Sequence, residues 1–313
     1  MYSKFGLSLM CALVSGTAWA SECKPSKWGA KDEIGAANLM NADTLKEAAK
    51  LIKKGKSAPL GIVIEPGMPA FPPRFVNLNV HQPNQFGGRK LGPVFGWNFS
   101  YNDDSAQLWF GVGPQLDGLS HFGEDGEFYN CNKAVDFVTE TGAKKMGIEG
   151  IPPLVGRGVV VDMVKHFGKP MEAGQGITVT DVDTALKNQG LKIKKGDIVL
   201  FHTGWTDSKL KSDPKTWASV EPGLTNAAAA HVAKMSPMVV GSDTWGLGPV
   251  PPVKGDKVFY DHNIFLKESG IYILENMDTG VLTKEGVKEF MFVLGQARIK
   301  GAVQMLINPV AMW

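Results

Sequence analysis

Apolar residues fall into short, nearly continuous runs along the second half of the chain. Four of these runs are rich in β-branched or aromatic residues: RGVVVDM (157–163), DIVLFHTGW (197–205), MVVGSD (238–243) and GIYILEN (270–276). Runs of this kind predict strands that are buried on both faces. A fifth run, GAVQMLINPV (301–310), predicts a last strand.

Helical spacing of apolar residues appears between these runs and before them. NADTLKEAAKLIKK (41–54) places its apolar residues on one face, with Asn41 or Asp43 as the cap and Gly55 as the stop. A second helix carries Val182 and Leu186, with Thr180 predicted as its cap and Gly190 as its end. A third helix is predicted around residues 227–230. The segment 56–100 is rich in Gly, Pro and Asn, which predicts short strands and long loops.

Strands and helices alternate without an obvious linker, which predicts an α/β fold. We expect a single domain with a mixed or partly parallel sheet and flanking helices. The chain has 313 residues, of which 43% are hydrophobic and 20% charged, as in a globular protein with a substantial core. Its net charge is +2 and no basic stripe is present, which argues against nucleic acid as a partner.

The N-terminus has the pattern of a secretory signal peptide. In MYSKFGLSLMCALVSGTAWA, Lys4 is the only charge, and an apolar stretch leads to Ala18-Trp19-Ala20, which has the small-x-small form of a cleavage site. We therefore predict a signal peptide over 1–20, a mature domain over 21–313, and a periplasmic or secreted protein. The alternatives are a buried N-terminal helix or a membrane anchor, but the stretch is shorter than the roughly 20 residues that a span needs.

Cleavage after residue 20 would leave two cysteines, Cys23 and Cys131. In an oxidising compartment an even pair favours a disulfide. The alternative is two separate buried thiols, since the sequence does not supply the Cα separation that a disulfide requires.

The segment QLDGLSH (115–121) places Gln115, Asp117 and His121 within seven positions. If it is extended, alternating residues project to one face, so the three side chains could converge on a metal ion. A carboxylate, an imidazole and an amide oxygen suit Mn²⁺ or Zn²⁺, and the oxygen-rich part favours Mn²⁺. The alternative is a turn-rich loop with three unrelated polar residues.

Several motifs along the chain resemble, in order, those of the cyclase family of metal-dependent hydrolases, which includes bacterial kynurenine formamidases and isatin hydrolases. The motifs that carry the resemblance are WGAKDEIGAANLM (28–40), YNDDSAQLWF (101–110), FYN (128–130), KGDIVLFHTGW (195–205), GSDTWGLGPVPP (241–252) and HNIFLKESGIYILEN (262–276). The resemblance implies the family's swivelling β/α/β-like fold. It also implies a homodimer or homotetramer.

The family's metal motif, H-x-G-T-H-x-D-x-P-x-H, matches residues 111–121 in part. Gly113, Asp117 and His121 agree, and QLDGLSH is similar to a branch of the family with T-Q-x-D-x-L-x-H. The motif's other defined positions hold different residues here: Gly111, Pro114, Gln115 and Leu119.

The resemblance also implies a distant histidine and glutamate, which match His262 and Glu275. The expected metal ligands are then Asp117, His262 and Glu275, with Gln115 as an amide ligand. His121 and Asp117 are the expected catalytic residues, with His121 as the acid/base.

The resemblance implies a hydrolase that cleaves a C–N or C–O bond of a small cyclic or aryl amide, imide, lactone or formamide, and the predicted signal peptide implies that this hydrolase is exported. The expected cofactor is a divalent metal, with Mn²⁺ favoured over Zn²⁺ because an amide oxygen is a poor zinc ligand. Two alternatives stay open: a metal-free lyase or cyclase, and a non-catalytic periplasmic small-molecule binding protein on the same scaffold. The aromatic residues expected to form the pocket wall, or else to pack in the core or a lid, are Trp28, Phe86, Trp97 and Phe110.

Overall fold

The fold is known from a computed structural model that describes residue 23 and residues 25–82 and 88–313. The predicted signal peptide and Phe86 lie outside the described residues. Within those ranges, no helix is both long and apolar enough to cross a membrane.

The strands, in chain order, are β1 Ser57–Pro59, β2 Val76–His81, β3 Asp103–Leu108, β4 Gln115–Asp117, β5 Glu127–Phe128, β6 Asn132–Lys133, β7 Val138–Thr139, β8 Gly142–Ala143, β9 Leu154–Asp162, β10 Gly176–Ile177, β11 Ile198–His202, β12 Gly223–Leu224, β13 Val239–Ser242, β14 Tyr272–Glu275, β15 Glu289–Leu294, β16 Gln304–Leu306 and β17 Val310–Met312.

The α-helices are α1 Ala42–Ala49, α2 Gly92–Phe95, α3 Ala134–Phe137, α4 Met163–Phe167, α5 Val179–Gln189, α6 Trp205–Lys209, α7 Pro214–Ser219, α8 Asn226–Lys234, α9 Tyr260–His262 and α10 Gly280–Lys284. Short 3₁₀ segments cover Gly35–Leu39, Tyr129–Cys131 and Ile148–Gly150, and a π-helix runs over Asn263–Ser269.

In the described part of the chain, nine strands form one sheet in the order β1-β17-β15-β9-β11-β13-β14-β4-β16. The four central strands, β9, β11, β13 and β14, run parallel to their neighbours within this group. Antiparallel pairs extend the sheet on both sides. The predicted mixed sheet is therefore confirmed. The apolar runs form its centre because their side chains are buried on both faces.

Several predicted element boundaries are corrected by tertiary contacts. Asn41 caps α1 as predicted, but the helix ends at Ala49, because the chain then turns so that the backbone N–H groups of Lys54 and Lys56 bond the carbonyl of Trp313. The predicted Thr180 cap is wrong: Thr178 caps α5.

Two further corrections concern the C-terminal part of the sheet. The predicted last strand over 301–310 is two separate strands, β16 and β17, which lie at different places in the sheet. Strand β15, which was not predicted from the sequence, pairs with both β9 and β17.

A disulfide joins Cys23 to Cys131, with a Cα separation of 5.6 Å and a sequence separation of 108 residues. Hydrogen bonds also join the N-terminal segment to residues 129–131, next to this disulfide. The Tyr129 hydroxyl donates to an Asp32 carboxylate oxygen at 2.5 Å, and the Asn130 amide donates to the Asp32 carbonyl at 2.9 Å. The alternative of separate thiols is therefore wrong in this structure. These contacts hold the N-terminal motif (28–40) against the loop that follows the predicted metal segment (115–121).

Candidate metal centre

Strand β4 carries the first two candidate ligands and lies between β14 and β16. In the sheet register Gln115 is opposite Glu275 on one side, and Asp117 is opposite Gln304 on the other. Directly opposed residues share a face of the sheet, and so do residues two apart on one strand. The register therefore places these four polar side chains on the same face.

The extended conformation expected over 115–121 is only partly right. The strand ends at Asp117, and the backbone N–H of His121 bonds the carbonyl of Gly118 at 3.0 Å, which makes 118–121 a turn. Leu119 is buried in the apolar core. His121 thus returns to the site through a turn rather than through strand alternation.

His262 and Glu275 arrive from separate elements. Glu275 ends strand β14, while His262 lies at the junction of α9 and the following π-helix. The His262 Nε2 and a Glu275 carboxylate oxygen are 3.1 Å apart. Asp117, His262 and Glu275 are all buried, and each has one ligand atom within 4.8 Å of the other two. The structure therefore brings together the three predicted metal ligands.

The two oxygens of Asp117 have different surroundings. Its Oδ1 accepts hydrogen bonds from the Gln115 Nε2 at 3.0 Å and from the Gln304 Nε2 at 2.7 Å. Its Oδ2 has no hydrogen-bond partner among the described residues. The imidazole Nε2 atoms of His262 and His121 lie 3.7 Å and 3.9 Å from Oδ2. The two amides fix the carboxylate so that its second oxygen points at the histidines.

His121 lies beside this cluster rather than within the ligand triad. Its ring centroid is 6.4 Å from that of His262, and its side chain is 18% exposed. Burial lowers the pKa of His121 below its usual value, and the charges of His262 and Arg74 lower it further, against the opposing effect of Asp117. His121 is therefore a neutral imidazole at neutral pH, which is the form that accepts a proton.

Strong electrostatic coupling links His262 with its acidic neighbours. Burial disfavours the charged imidazole, but Asp261 and Glu275 outweigh this effect and raise the pKa of His262 well above its usual value. Burial and the nearby Asp117 raise the pKa of Glu275 to about 8, against the opposing contact with His262. Buried groups perturbed in this way, packed into one cluster, are typical of a functional site.

The residues present fit a divalent cation. Two carboxylates and one imidazole converge, and the buried side-chain oxygens that lack a hydrogen-bond partner among the described residues include Asp117 Oδ2 and Gln115 Oε1. An unsatisfied buried acceptor costs about 1–3 kcal/mol, and a cation would offset that cost for both oxygens. A mixed set of oxygen and nitrogen ligands is of the kind that Mn²⁺ and Zn²⁺ take.

Sequence reasoning missed several residues of the site. Gln304 contacts Asp117 directly, and the only sequence signal was a polar residue inside an apolar run. Asp261 lies 3.3 Å from the His262 Nδ1. The charge of Arg74 lowers the pKa of His121, and this residue comes from the long loop segment 56–100, where no local sequence pattern predicted a role for it.

The aromatic rings that contact the site also differ from those predicted. Phe122 and Phe259 lie against His262, with ring centroids at 5.2 Å and 5.9 Å. Trp28 lines a surface cavity with Leu39 and Tyr129, and Trp97 is 66% exposed. Phe110 packs against the apolar core, as in the core alternative of the prediction.

The chain is similar to known cyclases. Residues 58–249 match the family model Cyclase, described as "Putative cyclase". Among solved structures, one described as a novel cyclase is 27% identical, with a TM-score of 0.80, over 92% of this chain and 98% of that one. No curated protein matched the chain.

Two more distant structures share the fold. Isatin hydrolase A from Ralstonia solanacearum is 16% identical with a TM-score of 0.61, over 87% of this chain and 97% of its own. A predicted metal-dependent hydrolase from Bacillus stearothermophilus is 17% identical with a TM-score of 0.52, over 82% and 97%.

Proposed function

Because the chain belongs to the cyclase family, we propose that it is a metal-dependent hydrolase. Its proposed substrates are small cyclic or aryl amides, imides, lactones or formamides, in which it cleaves a C–N or C–O bond. The fold that it shares with isatin hydrolases and metal-dependent hydrolases supports hydrolase activity in general.

One observation carries the proposal. Asp117, His262 and Glu275 converge within 4.8 Å in a buried position, and the free Asp117 Oδ2 points toward two histidines. The alternative of a non-catalytic binding protein predicts that these groups are spread apart or fully tied up in structural hydrogen bonds. Their convergence therefore favours the hydrolase.

Asp117, His262 and Glu275 would hold the metal, with Gln115 Oε1 as a further ligand. When bound, a divalent cation supplies Lewis-acid chemistry by polarising a carbonyl and lowering the pKa of water. We propose Mn²⁺ rather than Zn²⁺, because carboxylate and amide oxygens outnumber the single imidazole in this set.

The protein residues around the metal have separate roles. Gln115 and Gln304 donate to Asp117 Oδ1 and hold the carboxylate in place. Phe122 and Phe259 pack on the His262 ring and exclude water from that side. His121, as a neutral imidazole, accepts a proton at Nε2 from the attacking water and returns it to the leaving group.

The proposal is tested with the purified mature protein and a panel of isatin, phthalimide, dihydrocoumarin and N-formylaniline, before and after chelation. We expect hydrolysis of at least one compound, lost on chelation and restored by Mn²⁺. Asp117→Asn should abolish both metal binding and turnover. His121→Gln should lower kcat by about 10²–10⁴-fold while metal affinity changes little. The exposed Asp136→Asn is the matched control.

The remaining outcomes separate the alternatives. Turnover that survives exhaustive chelation would support the metal-free lyase or cyclase instead. Tight binding of panel compounds without any turnover, in the metal-loaded protein, would support the binding protein.

We also propose that the protein is exported. The support is the N-terminal signal pattern together with the Cys23–Cys131 disulfide, since disulfides persist in oxidising compartments. The proposed localisation is therefore periplasmic or secreted.

Self-association as a homodimer or homotetramer is a further part of the proposal. The hairpin β2–β3 and the loop beside it expose several large apolar side chains: Leu78, Val80, Phe95, Trp97 and Trp109. Apolar surface of this extent on a soluble protein is typical of an interaction site.

A further inference from the structure

The imidazole of His262 has carboxylates beside both of its nitrogens. Its Nε2 lies 3.1 Å from a Glu275 carboxylate oxygen and 3.7 Å from Asp117 Oδ2. Its Nδ1 lies 3.3 Å from the Oδ2 of Asp261, the residue that precedes it in the chain. Asp261 does not belong to the ligand triad, which consists of Asp117, His262 and Glu275. The two ring nitrogens therefore have different carboxylate neighbours.

Asp261 Oδ2 and His262 Nδ1 are buried polar atoms without a partner elsewhere. Asp261 is 1% exposed, and neither atom has a hydrogen bond to any other group among the described residues. A buried donor or acceptor left unsatisfied costs about 1–3 kcal/mol. A proton on Nδ1 that is donated to Oδ2 offsets this cost for both atoms. The pair is therefore best satisfied when the ring carries its proton on Nδ1.

The surroundings of the pair hold it in place. Asp261 and His262 close the short helix α9, and the π-helix begins at the next residue. Phe122 and Phe259 pack against the His262 ring. A Cβ atom at position 248 would lie 3.0 Å from Asp261 Oδ1, so the loop at Gly248 packs closely on the carboxylate. The carboxylate and the ring have little freedom to move apart.

Glu275 competes for the same proton. Its carboxylate oxygen is within hydrogen-bonding distance of His262 Nε2, so it favours a proton on that nitrogen. A protonated Nε2 has no lone pair to offer a metal ion. A carboxylate at Nδ1 opposes this effect, because it favours the proton on the nitrogen that faces away from the ligand position.

We propose that Asp261 is a positioning residue that holds His262 in the tautomer with its proton on Nδ1. The Nε2 lone pair is then available on the side of Asp117 and Glu275. A carboxylate in this role fixes the orientation of the ring and makes the histidine a better ligand. This inference rests on the proposed function, since it assigns Asp261 a role toward the metal of that site.

The first test measures the affinity of the mature protein for Mn²⁺ by titration calorimetry. We expect Asp261→Ala to weaken Mn²⁺ binding by about 10–100-fold, because the ring is no longer held in the binding tautomer. Asp261→Asn should lose less, because its amide oxygen can still accept a hydrogen bond from Nδ1. Equal Mn²⁺ affinities in the wild type and Asp261→Ala would overturn the inference.

Asp183→Ala is the matched control. Asp183 Oδ1 lies 2.8 Å from the Nε2 of His231, a partly exposed histidine of α8 that is not part of the metal centre. The control variant therefore also removes one negative charge and one carboxylate partner of a histidine. It should bind Mn²⁺ as the wild type does. A loss as large as that of Asp261→Ala would overturn the inference, since it would assign the effect to net charge.

A spectroscopic measurement distinguishes positioning from a structural role, and its first part needs only the wild type. In ¹H–¹⁵N NMR of the protein loaded with diamagnetic Zn²⁺, we expect a slowly exchanging Nδ1–H signal of His262, assigned by its absence in His262→Gln. This signal should lie downfield of the ring N–H signal of His231, because the proton is buried in a charge-assisted hydrogen bond. It should move upfield in Asp261→Asn. An unprotonated Nδ1 in the loaded wild type would overturn the inference, and so would an unchanged signal in Asp261→Asn.

The outcomes separate this inference from the proposed function. A loss of Mn²⁺ affinity in Asp261→Ala, with a wild type that binds Mn²⁺ but hydrolyses no panel compound, would sink the proposed function alone. Chelation-sensitive hydrolysis by the wild type, with equal Mn²⁺ affinities in the wild type and Asp261→Ala, would sink this inference alone.

Discussion

Gln115 and Glu275 lie directly opposite each other across the antiparallel pair β4 and β14. This pairing brings an amide and a carboxylate, 160 positions apart in the sequence numbering, to one face of the sheet beside Asp117. The Gln115 Nε2 donates a hydrogen bond to Asp117 Oδ1, while the Gln115 Oε1 has no hydrogen-bond partner among the described residues. Gln115 therefore both positions one proposed ligand and offers a ligand atom of its own.

Replacing Gln115 with histidine should change the metal preference. An imidazole at this position supplies a nitrogen donor in place of the amide oxygen, and nitrogen donors suit Zn²⁺ better than Mn²⁺. We expect Gln115→His to raise the affinity for Zn²⁺ relative to Mn²⁺ by about 10-fold or more, as measured by competitive titration with a chelating dye. Gln115→Met, which removes the oxygen donor, is the control. An unchanged ratio of affinities in Gln115→His would show that residue 115 is not a ligand.

Removing the amide of Gln304 should weaken metal binding without removing a ligand. The Gln304→Leu variant loses the 2.7 Å hydrogen bond to Asp117 Oδ1, so the carboxylate is held by Gln115 alone. Loss of a residue that orients a metal ligand typically costs about 10–100-fold in affinity. Calorimetric titration with Mn²⁺ should show this loss, while Gln107→Leu on the exposed hairpin should not. Equal Mn²⁺ affinities for the two variants would contradict the positioning role.

Asp32 should make the stability of the fold depend on pH. Burial raises the pKa of Asp32, but hydrogen bonds from Tyr129, Ser26, Asn38 and the backbone of Ile34 outweigh this and lower it below 3.8. Because the folded pKa is the lower one, the carboxylate stabilises the fold above pH 3.8 and loses this contribution as the pH falls through the folded pKa.

We therefore expect Asp32→Asn to lower the free energy of unfolding by about 2 kcal/mol at pH 7. The difference between the variant and the wild type should shrink below pH 3.8, as followed by urea denaturation at several pH values. Asp43→Asn, on the exposed start of α1, is the control. A difference that stays constant down to pH 2 would rule out the carboxylate as its source.

The disulfide should contribute strongly to stability. It closes a loop with a sequence separation of 108 residues, and in the chain-entropy account a loop of this size is worth about 4–5 kcal/mol. The Cys23→Ser/Cys131→Ser double variant should therefore melt at a clearly lower temperature than the oxidised wild type in differential scanning calorimetry. Reduced wild type should match the double variant. Equal melting temperatures for oxidised and reduced wild type would show that the bond does not stabilise the fold.

Charged residues on the apolar hairpin should break the proposed oligomer. Leu78 and Val80 are 51% and 62% exposed and lie two apart on β2, so they share one face of the hairpin. We expect the Leu78→Lys/Val80→Lys variant to elute as a monomer in size-exclusion chromatography with light scattering, while the wild type elutes as a dimer or tetramer. Asn77→Lys/Asn79→Lys, on the other face of the same strand, is the control. A monomeric wild type would refute the proposed self-association.

The sequence by itself determined the central strands of the sheet, because continuous β-branched runs cannot be placed at a surface without exposing apolar area. It also located Asp117, and the family resemblance pointed to His262 and Glu275. The predicted ends of the strands were less accurate. An extended conformation over 115–121 was expected, but the chain turns at Gly118, and Leu119 enters the core.

Only the tertiary structure decided how the site is completed. Gln304 reaches it from a segment that is far away in the sequence, and its role follows from the sheet register. Register and close approach depend on which distant segments pair, and that is a property of the packed chain rather than of any local pattern. The local pattern therefore identified the residues with suitable chemistry, and packing decided which of them act together.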